Sequence, residues 1–290
     1  MTTVPWKRLI RFVNNGKIYL GEPVLASEVD VAKAHAQGGL KARVIQGSVF
    51  DGKVTDEELA VDELLGPLTA ADVPLIKCVG LNYMKHIKEG GRTPPPYPSI
   101  FYKPSTCVAD HSRPVPIPKL AQENQLDYEG ELCVVIGKTG KNIREEDALS
   151  YVLGYTSGND VSARTWQRDP KYAGGVPQWC FSKSFDKYAP LGPQLVSSEV
   201  IPDPSKLHLQ TRVNGEVRQD TPTDDLLFNV PKIISFISQG TTLEKGTVIM
   251  TGTPSGVAMG MPTPKYLNDG DVVEVEISEI GTLSNTMKFE

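Results

Sequence analysis

Three carboxylates carry the strongest chemical signal in this chain. Glu129 and Glu131 lie in the run LDYEGELCVVIGK, residues 126–138, where a spacing of two puts both side chains on one face of a strand. Asp160 closes a second strand-like run, VLGYTSGND, after one short helix and a turn. Oxygen ligands converging from two strands make a site for a hard divalent cation, Mg²⁺ first, with Mn²⁺ or Ca²⁺ as competitors. A solvated strand face would show the same spacing. The rest of that face is apolar, which favours the metal, because carboxylates are rarely buried without a partner.

His86 and Glu89 stand three apart in NYMKHIKE. On a helical turn they share a face, and a carboxylate beside an imidazole raises its basicity and fixes its tautomer. That is how a water-activating base is built. The alternative is an exposed loop histidine with a chance acidic neighbour. A Gly- and Pro-rich loop, EGGRTPPPYPS, follows and suits a lid.

Arg164 and Gln167 lie one and two turns beyond Asp160 in DVSARTWQ. Arg164 can grip a carboxylate and Gln167 can donate to an oxyanion, although surface residues would read the same way. Lys183, in WCFSKSFD, has aromatic and small neighbours, so its ammonium should be partly buried and seek anionic company. Thr253 sits in TGTPSG, a glycine-bearing turn after an apolar strand that can offer hydroxyls and backbone N–H groups to an anion. That turn lacks the Lys and the spacing of a phosphate-cradling loop. No G-x-S-x-G frames a serine and no His adjoins a cysteine, so metal-assisted chemistry with a His base is what the residues support.

The elements that must position these residues are mostly strands. Residues 1–73 read as a small β-rich N-terminal domain: strands around Asn14-Asn15-Gly16, a short helix near 29–36, and a strand pair turned at Asp51-Gly52. Pro67 and Pro74 mark a link to a catalytic domain at 74–290. It opens with a buried strand at 75–83 and continues with strands at 99–102 and 127–136. A hairpin at 207–217 turns at Asn214-Gly215, and a C-terminal pair turns at Ile280-Gly281. Helices are expected at 145–152 and at 224–238, the latter with Pro231 near its middle. Strands without regular βα alternation predict an α+β, mostly β fold with peripheral helices.

With 290 residues, 30 Lys and Arg against 35 Asp and Glu, and no basic run, the chain has no nucleic-acid footprint and should act on a small molecule. Its four cysteines form no C-x-x-C and fit reduced thiols in the cytoplasm. The N-terminus has no apolar block of signal-peptide length. Its first 20 residues contain no Asp or Glu, which leaves a mitochondrial location open, yet a Ser-rich amphipathic helix is missing. No stretch approaches the roughly 18 apolar residues that span a membrane.

In order along residues 75–289, GLNYMKH, YKP, LDYEGEL, VVIGK, GNDVSARTWQ, KSFD, PLGP, RVNGE and TGTPSGV resemble the fumarylacetoacetate hydrolase superfamily. The layout, with a small module before the core, is most similar to its domain-containing protein type and to acylpyruvate and diketo-acid hydrolases. The resemblance implies a mixed β-roll core, a homodimer, and Mg²⁺ on Glu129, Glu131 and Asp160. It also implies a water-activating His86/Glu89 dyad on a lid, catalytic Lys183, and substrate contacts from Arg164, Gln167, Thr253 and Tyr102. The implied reaction is Mg-dependent hydrolysis of a C–C bond in an enolisable dicarbonyl acid. Oxaloacetate decarboxylation or keto-enol tautomerism at the same site is the rival. Thr165 stands where the family often has an acidic residue, and residues 168–180 and Pro94 to Pro96 are expected to shape specificity.

Overall fold

The computed structural model describes residues 4–26, 29–89 and 93–290. Two-residue turns set the first hairpin and a later one. Asn15 and Gly16 join strands Arg8–Asn14 and Lys17–Pro23, and Asn214 and Gly215 join His208–Val213 and Glu216–Pro222, all four with positive φ. Asn and Gly tolerate that conformation, and its twist matches the flanking strands.

The fold is α+β and mostly β. One large mixed sheet runs in the order Lys53–Ala60, Lys41–Gln46, Lys17–Pro23, Arg8–Asn14, Ala189–Ser197, Val152–Asn159, Gly130–Ile136, Val248–Met250, Ile76–Gly80, Ser99–Lys103. A five-stranded sheet, Glu216–Pro222, His208–Val213, Val272–Ile277, Gly281–Phe289 and Val115–Ile117, packs against it. The central strand Gly130–Ile136 is buried on both faces, which explains its unbroken apolar run. Leu132, Val134 and Ile136 meet Leu209, Val275 and helix Val230–Ile237. Cys133 and Val135 face the other way, toward Ile76, Cys78 and Met250. No helix among the described residues is long and apolar enough to cross a membrane. All four cysteines are unpaired.

Two helices depart from the sequence expectation. The segment expected as one helix over 224–238 is a 3₁₀ turn, Thr223–Asp225, followed by helix Val230–Ile237. Pro231 opens that helix because proline lacks the N–H that an interior position must donate, and the Asn229 side chain caps it on Lys232 N–H at 3.0 Å. Residues Glu145–Tyr151 form a 3₁₀ helix.

The N-terminal strands have a small core of their own, with Ile10, Phe12, Val31, Leu40 and Leu64. They also extend the large sheet: Arg8 and Leu9 pair with Val196 and Leu195, and Trp6 and Leu9 are buried in the cluster that contains Cys78, Val135 and Leu153. Replacing Trp6 by Ala should therefore cost about 3–5 kcal/mol, with the whole chain unfolding in one urea transition followed by near-UV circular dichroism. Two separate transitions would show that the N-terminal strands fold on their own.

Candidate active site

The strand edges bring the three carboxylates together. Glu129 lies one residue before strand Gly130–Ile136, and Asp160 one residue after strand Val152–Asn159. These strands pair antiparallel through Gly130 and Asn159. Beyond that pair the chains stay joined: Glu129 N–H donates to the Asn159 side chain at 3.0 Å, and Asp160 N–H donates to the Glu129 carbonyl at 2.9 Å. Glu131 follows on the same face of its strand. Its Oε2 accepts from Gly252 N–H at 2.7 Å, the one hydrogen bond its carboxylate receives among the described residues. One oxygen from each of Glu129, Glu131 and Asp160 lies within 4.8 Å of the others. Gly252 reaches this position with φ +107°, a conformation side chains resist, and it abuts Asn82 and the Val79 carbonyl. Asn82 anchors that turn by donating to the Thr251 carbonyl at 2.7 Å.

Three buried cations surround the carboxylates. Lys183 donates to Glu129 Oε2 at 2.9 Å, to Asp160 Oδ2 at 2.6 Å and to Ser162 Oγ at 2.7 Å. Arg164 donates to Asp127 Oδ2 at 2.7 Å, to Glu129 Oε1 at 2.6 Å and to Gln167 Oε1 at 3.0 Å. Lys103 bonds Asp160 Oδ1 and donates to the Val161 carbonyl at 3.3 Å. Burial alone would push the Glu129 carboxyl up, but the Lys183 ammonium and the Arg164 guanidinium outweigh it and hold it at about 2. The Glu131 carboxyl goes the other way. Burial first, then the neighbouring Asp160 and Glu129 charges, raise it well above the ordinary range, and the Gly252 N–H offsets this only in part.

Lys183, Arg164, Gln167, Thr253 and Glu129 line a cavity of about 210 Å³, with Val79, Gly80, Leu81, Phe101, Trp179, Val257 and Met259 among its other walls. The Arg164 guanidinium is engaged by Asp127 and Glu129, so it orients a carboxylate of the protein. The Thr253 hydroxyl donates to the Gly130 carbonyl at 3.0 Å and accepts from Gln219 at 2.7 Å. Gln167 uses its amide oxygen toward Arg164, and its amide N–H groups have no partner among the described residues. Tyr102 is 44% exposed, carries the Lys77 ammonium over its ring, and does not line the cavity. Strand alternation accounts for this: in Ser99–Lys103 it turns Phe101 and Lys103 inward and Tyr102 outward. His86 and Glu89 belong to helix Met84–Glu89, and their side chains lie outside the described part of the structure, as do residues 90–92 of the loop read as a lid.

Two residues of the site have no role in the sequence reading. Lys103 is fully buried, and the signal for it was its spacing of two from Phe101. Asp127 accepts from Tyr128, Ala258 and Met259 N–H groups and from Arg164, so it ties the 257–260 wall of the cavity to the charged centre. A short polar residue in LDYEGEL gives no hint of that reach.

A mostly β scaffold thus gathers buried carboxylates at its strand ends beside a small cavity lined by hydrogen-bond donors. The family profile described as Fumarylacetoacetate (FAA) hydrolase C-terminal matches residues 75–288, and the chain belongs to that enzyme family. It is 41% identical over 296 residues to caffeoylpyruvate hydrolase of Neonothopanus nambi, covering 98% of this chain and 94% of the relative. It is 45% identical over 214 residues to oxaloacetate tautomerase YisK of Bacillus subtilis, covering 72% and 68%. The crystal structure of 2-hydroxyhepta-2,4-diene-1,7-dioate isomerase from Mycobacterium marinum is similar with a TM-score of 0.78 at 31% identity, covering 98% and 99% of the two chains.

Because Lys103 is wholly buried against Asp160, Lys103→Met should destabilise the metal-free protein by about 3–5 kcal/mol, the usual loss when one partner of a buried ion pair is removed. Urea unfolding measures this. A loss below about 1 kcal/mol would mean that Lys183 alone compensates Asp160.

Proposed function

We propose that this chain hydrolyses the C–C bond of an acylpyruvate in a divalent-metal-dependent reaction. The observation that carries the reading is the convergence of Glu129, Glu131 and Asp160, with Glu129 also lining a cavity that has hydrogen-bond donors beside an apolar wall. The donor set fits a hard cation. Asp127, Glu129, Glu131 and Asp160 are four buried carboxylates against the three cations Lys103, Lys183 and Arg164, which leaves one negative charge in excess. Glu131 has no cationic partner among the described residues, and it is the group whose ionised form the site disfavours. Glu129, Glu131 and Asp160 would hold the ion, and Mg²⁺ or Mn²⁺ suits three carboxylate oxygens. When bound, such an ion supplies a Lewis acid for negative charge developing on substrate oxygens.

The protein's own groups supply the rest. His86, oriented by Glu89, takes a proton from water, which adds to the acyl carbon. Lys183 and Gln167 are the donors for the resulting oxyanion. All three Lys183 N–H groups already have partners, so one must exchange for a substrate oxygen. The bond from the acyl carbon to the methylene then breaks, and the proton held at His86 returns to that methylene carbon. Acylpyruvate and water give a carboxylic acid and pyruvate.

Oxaloacetate tautomerism is the second reading. It is favoured by the 45% identity to a tautomerase over the part of the chain that carries the carboxylates. It requires proton transfer but no attacking water.

Incubating the protein with Mg²⁺ and acetylpyruvate in ¹⁸O-labelled water should place the label in acetate. Turnover of oxaloacetate tautomers without any labelled acid product would favour the second reading. His86→Ala should lower hydrolysis by about 10² to 10⁴, and an unchanged rate would remove the dyad from the reaction. Calorimetry should find no Mg²⁺ or Mn²⁺ binding to a folded Glu131→Ala variant. Wild-type affinity in that variant would refute the metal assignment.

A further inference from the structure

Resting on the acylpyruvate reading, we propose that Trp179, held in place by Gly80 and Phe101, is the wall that selects the acyl substituent. We further propose that the preferred substituent is flat and aromatic. The short helix Trp179–Lys183 carries both ends of the argument. Residues four apart share a helix face, so one turn presents the Lys183 ammonium to Glu129 and Asp160 and the Trp179 indole to the same cavity. The Gln178 N–H, just before that turn, donates to the Gln167 carbonyl at 3.0 Å, which fixes the helix to the other donor of the site.

From the charged centre outward the aromatic groups are contiguous. The Lys183 ammonium lies 5.1 Å from the Phe101 ring centroid, and the Phe101 ring meets Trp179 edge-to-face at 5.4 Å and 87°. A substrate whose oxygens engage the donors therefore extends its acyl group along Phe101 and Trp179. Gly80 makes this placement possible, since a Cβ there would overlap the six-membered ring of the indole. Trp179 keeps part of its surface open, and Val79, Val257 and the polarisable Met259 complete the apolar lining. Aromatic and thioether surfaces reward a planar ring beyond the area it buries. A methyl group, as in acetylpyruvate, gains little of this.

The test compares kcat/KM for benzoylpyruvate and acetylpyruvate in wild type, Trp179→Ala, Trp179→Phe and Gly80→Ala, with circular dichroism on each. Wild type is expected to prefer benzoylpyruvate. Trp179→Ala should lower its kcat/KM about 10- to 100-fold, mainly through KM, as expected for contacts made equally in ground and transition states. The loss on acetylpyruvate should be clearly smaller than the loss on benzoylpyruvate. Trp179→Phe should recover most of the loss. Gly80→Ala, which displaces the indole and adds nothing polar, should reproduce the Trp179→Ala pattern, and Trp179→Phe carries the comparison if Gly80→Ala does not fold. Equal losses on both substrates would overturn the selecting wall, and a wild type that prefers acetylpyruvate would overturn the aromatic assignment. A wild type that hydrolyses neither would overturn the underlying reaction instead. Calorimetric binding of benzoylpyruvate to wild type and Trp179→Ala then decides the wall by itself: weaker binding in the variant supports it, and equal binding refutes it.

Discussion

Four buried carboxylates confined with three buried cations are the constraint around which the rest of this structure is organised. Like charges about 4 Å apart repel by about 4 kcal/mol at an effective dielectric near 20. Glu129, Glu131 and Asp160, with oxygens within 4.8 Å of one another, cannot all stay ionised without compensation. The fold answers unevenly. Asp160 lies between Lys103 and Lys183, and Glu129 between Lys183 and Arg164, whereas Glu131 has one backbone N–H. Glu131 is the carboxylate left without a cationic partner among the described residues, and burial with its two anionic neighbours disfavours its ionised form.

That constraint reaches well into the fold. The strand from Glu131 to Ile136 is buried on both faces, so Glu131 is held within a central element, while Glu129 and Asp160 sit directly at the ends of paired strands. Asp127 couples the charged centre to the 257–260 segment through two backbone N–H groups, and Asn82 couples the Thr251 turn to residue Phe228. The cavity walls are thus braced by the same polar network that holds the carboxylates. Buried networks of this kind are stable only when nearly every member has its partner.

Helix Trp179–Lys183 shows how little chain is needed to join the charged centre to the apolar wall. Its last residue contacts two of the carboxylates and its first lines the apolar wall. Residues 168–178, just before it, are exposed except for Ala173.

Much of this was legible in the residues. The spacing of Glu129 and Glu131, the position of Asp160 at a strand end, and the setting of Lys183 follow from short-range periodicity, and the Asn-Gly turns from backbone sterics. The ordered motifs made the family recognisable. Other features came only from the tertiary structure. Pro231 read as lying near the middle of one helix over 224–238, whereas the chain starts a helix there, capped by Asn229. Arg164 read as a substrate grip, yet its fork is closed on Asp127 and Glu129, because a guanidinium buried between carboxylates pairs with the nearest ones. Tyr102 and Lys103 are neighbours in one motif, and only the sheet's two faces show that one is outside and the other beneath Asp160. The sequence by itself determined which groups carry charge and which periodicity carries them. Which groups meet was decided by tertiary contacts between residues far apart in the chain, 57 positions for Lys103 and Asp160 and 121 for the Gly252 N–H and Glu131, and no local pattern encodes contacts of that range.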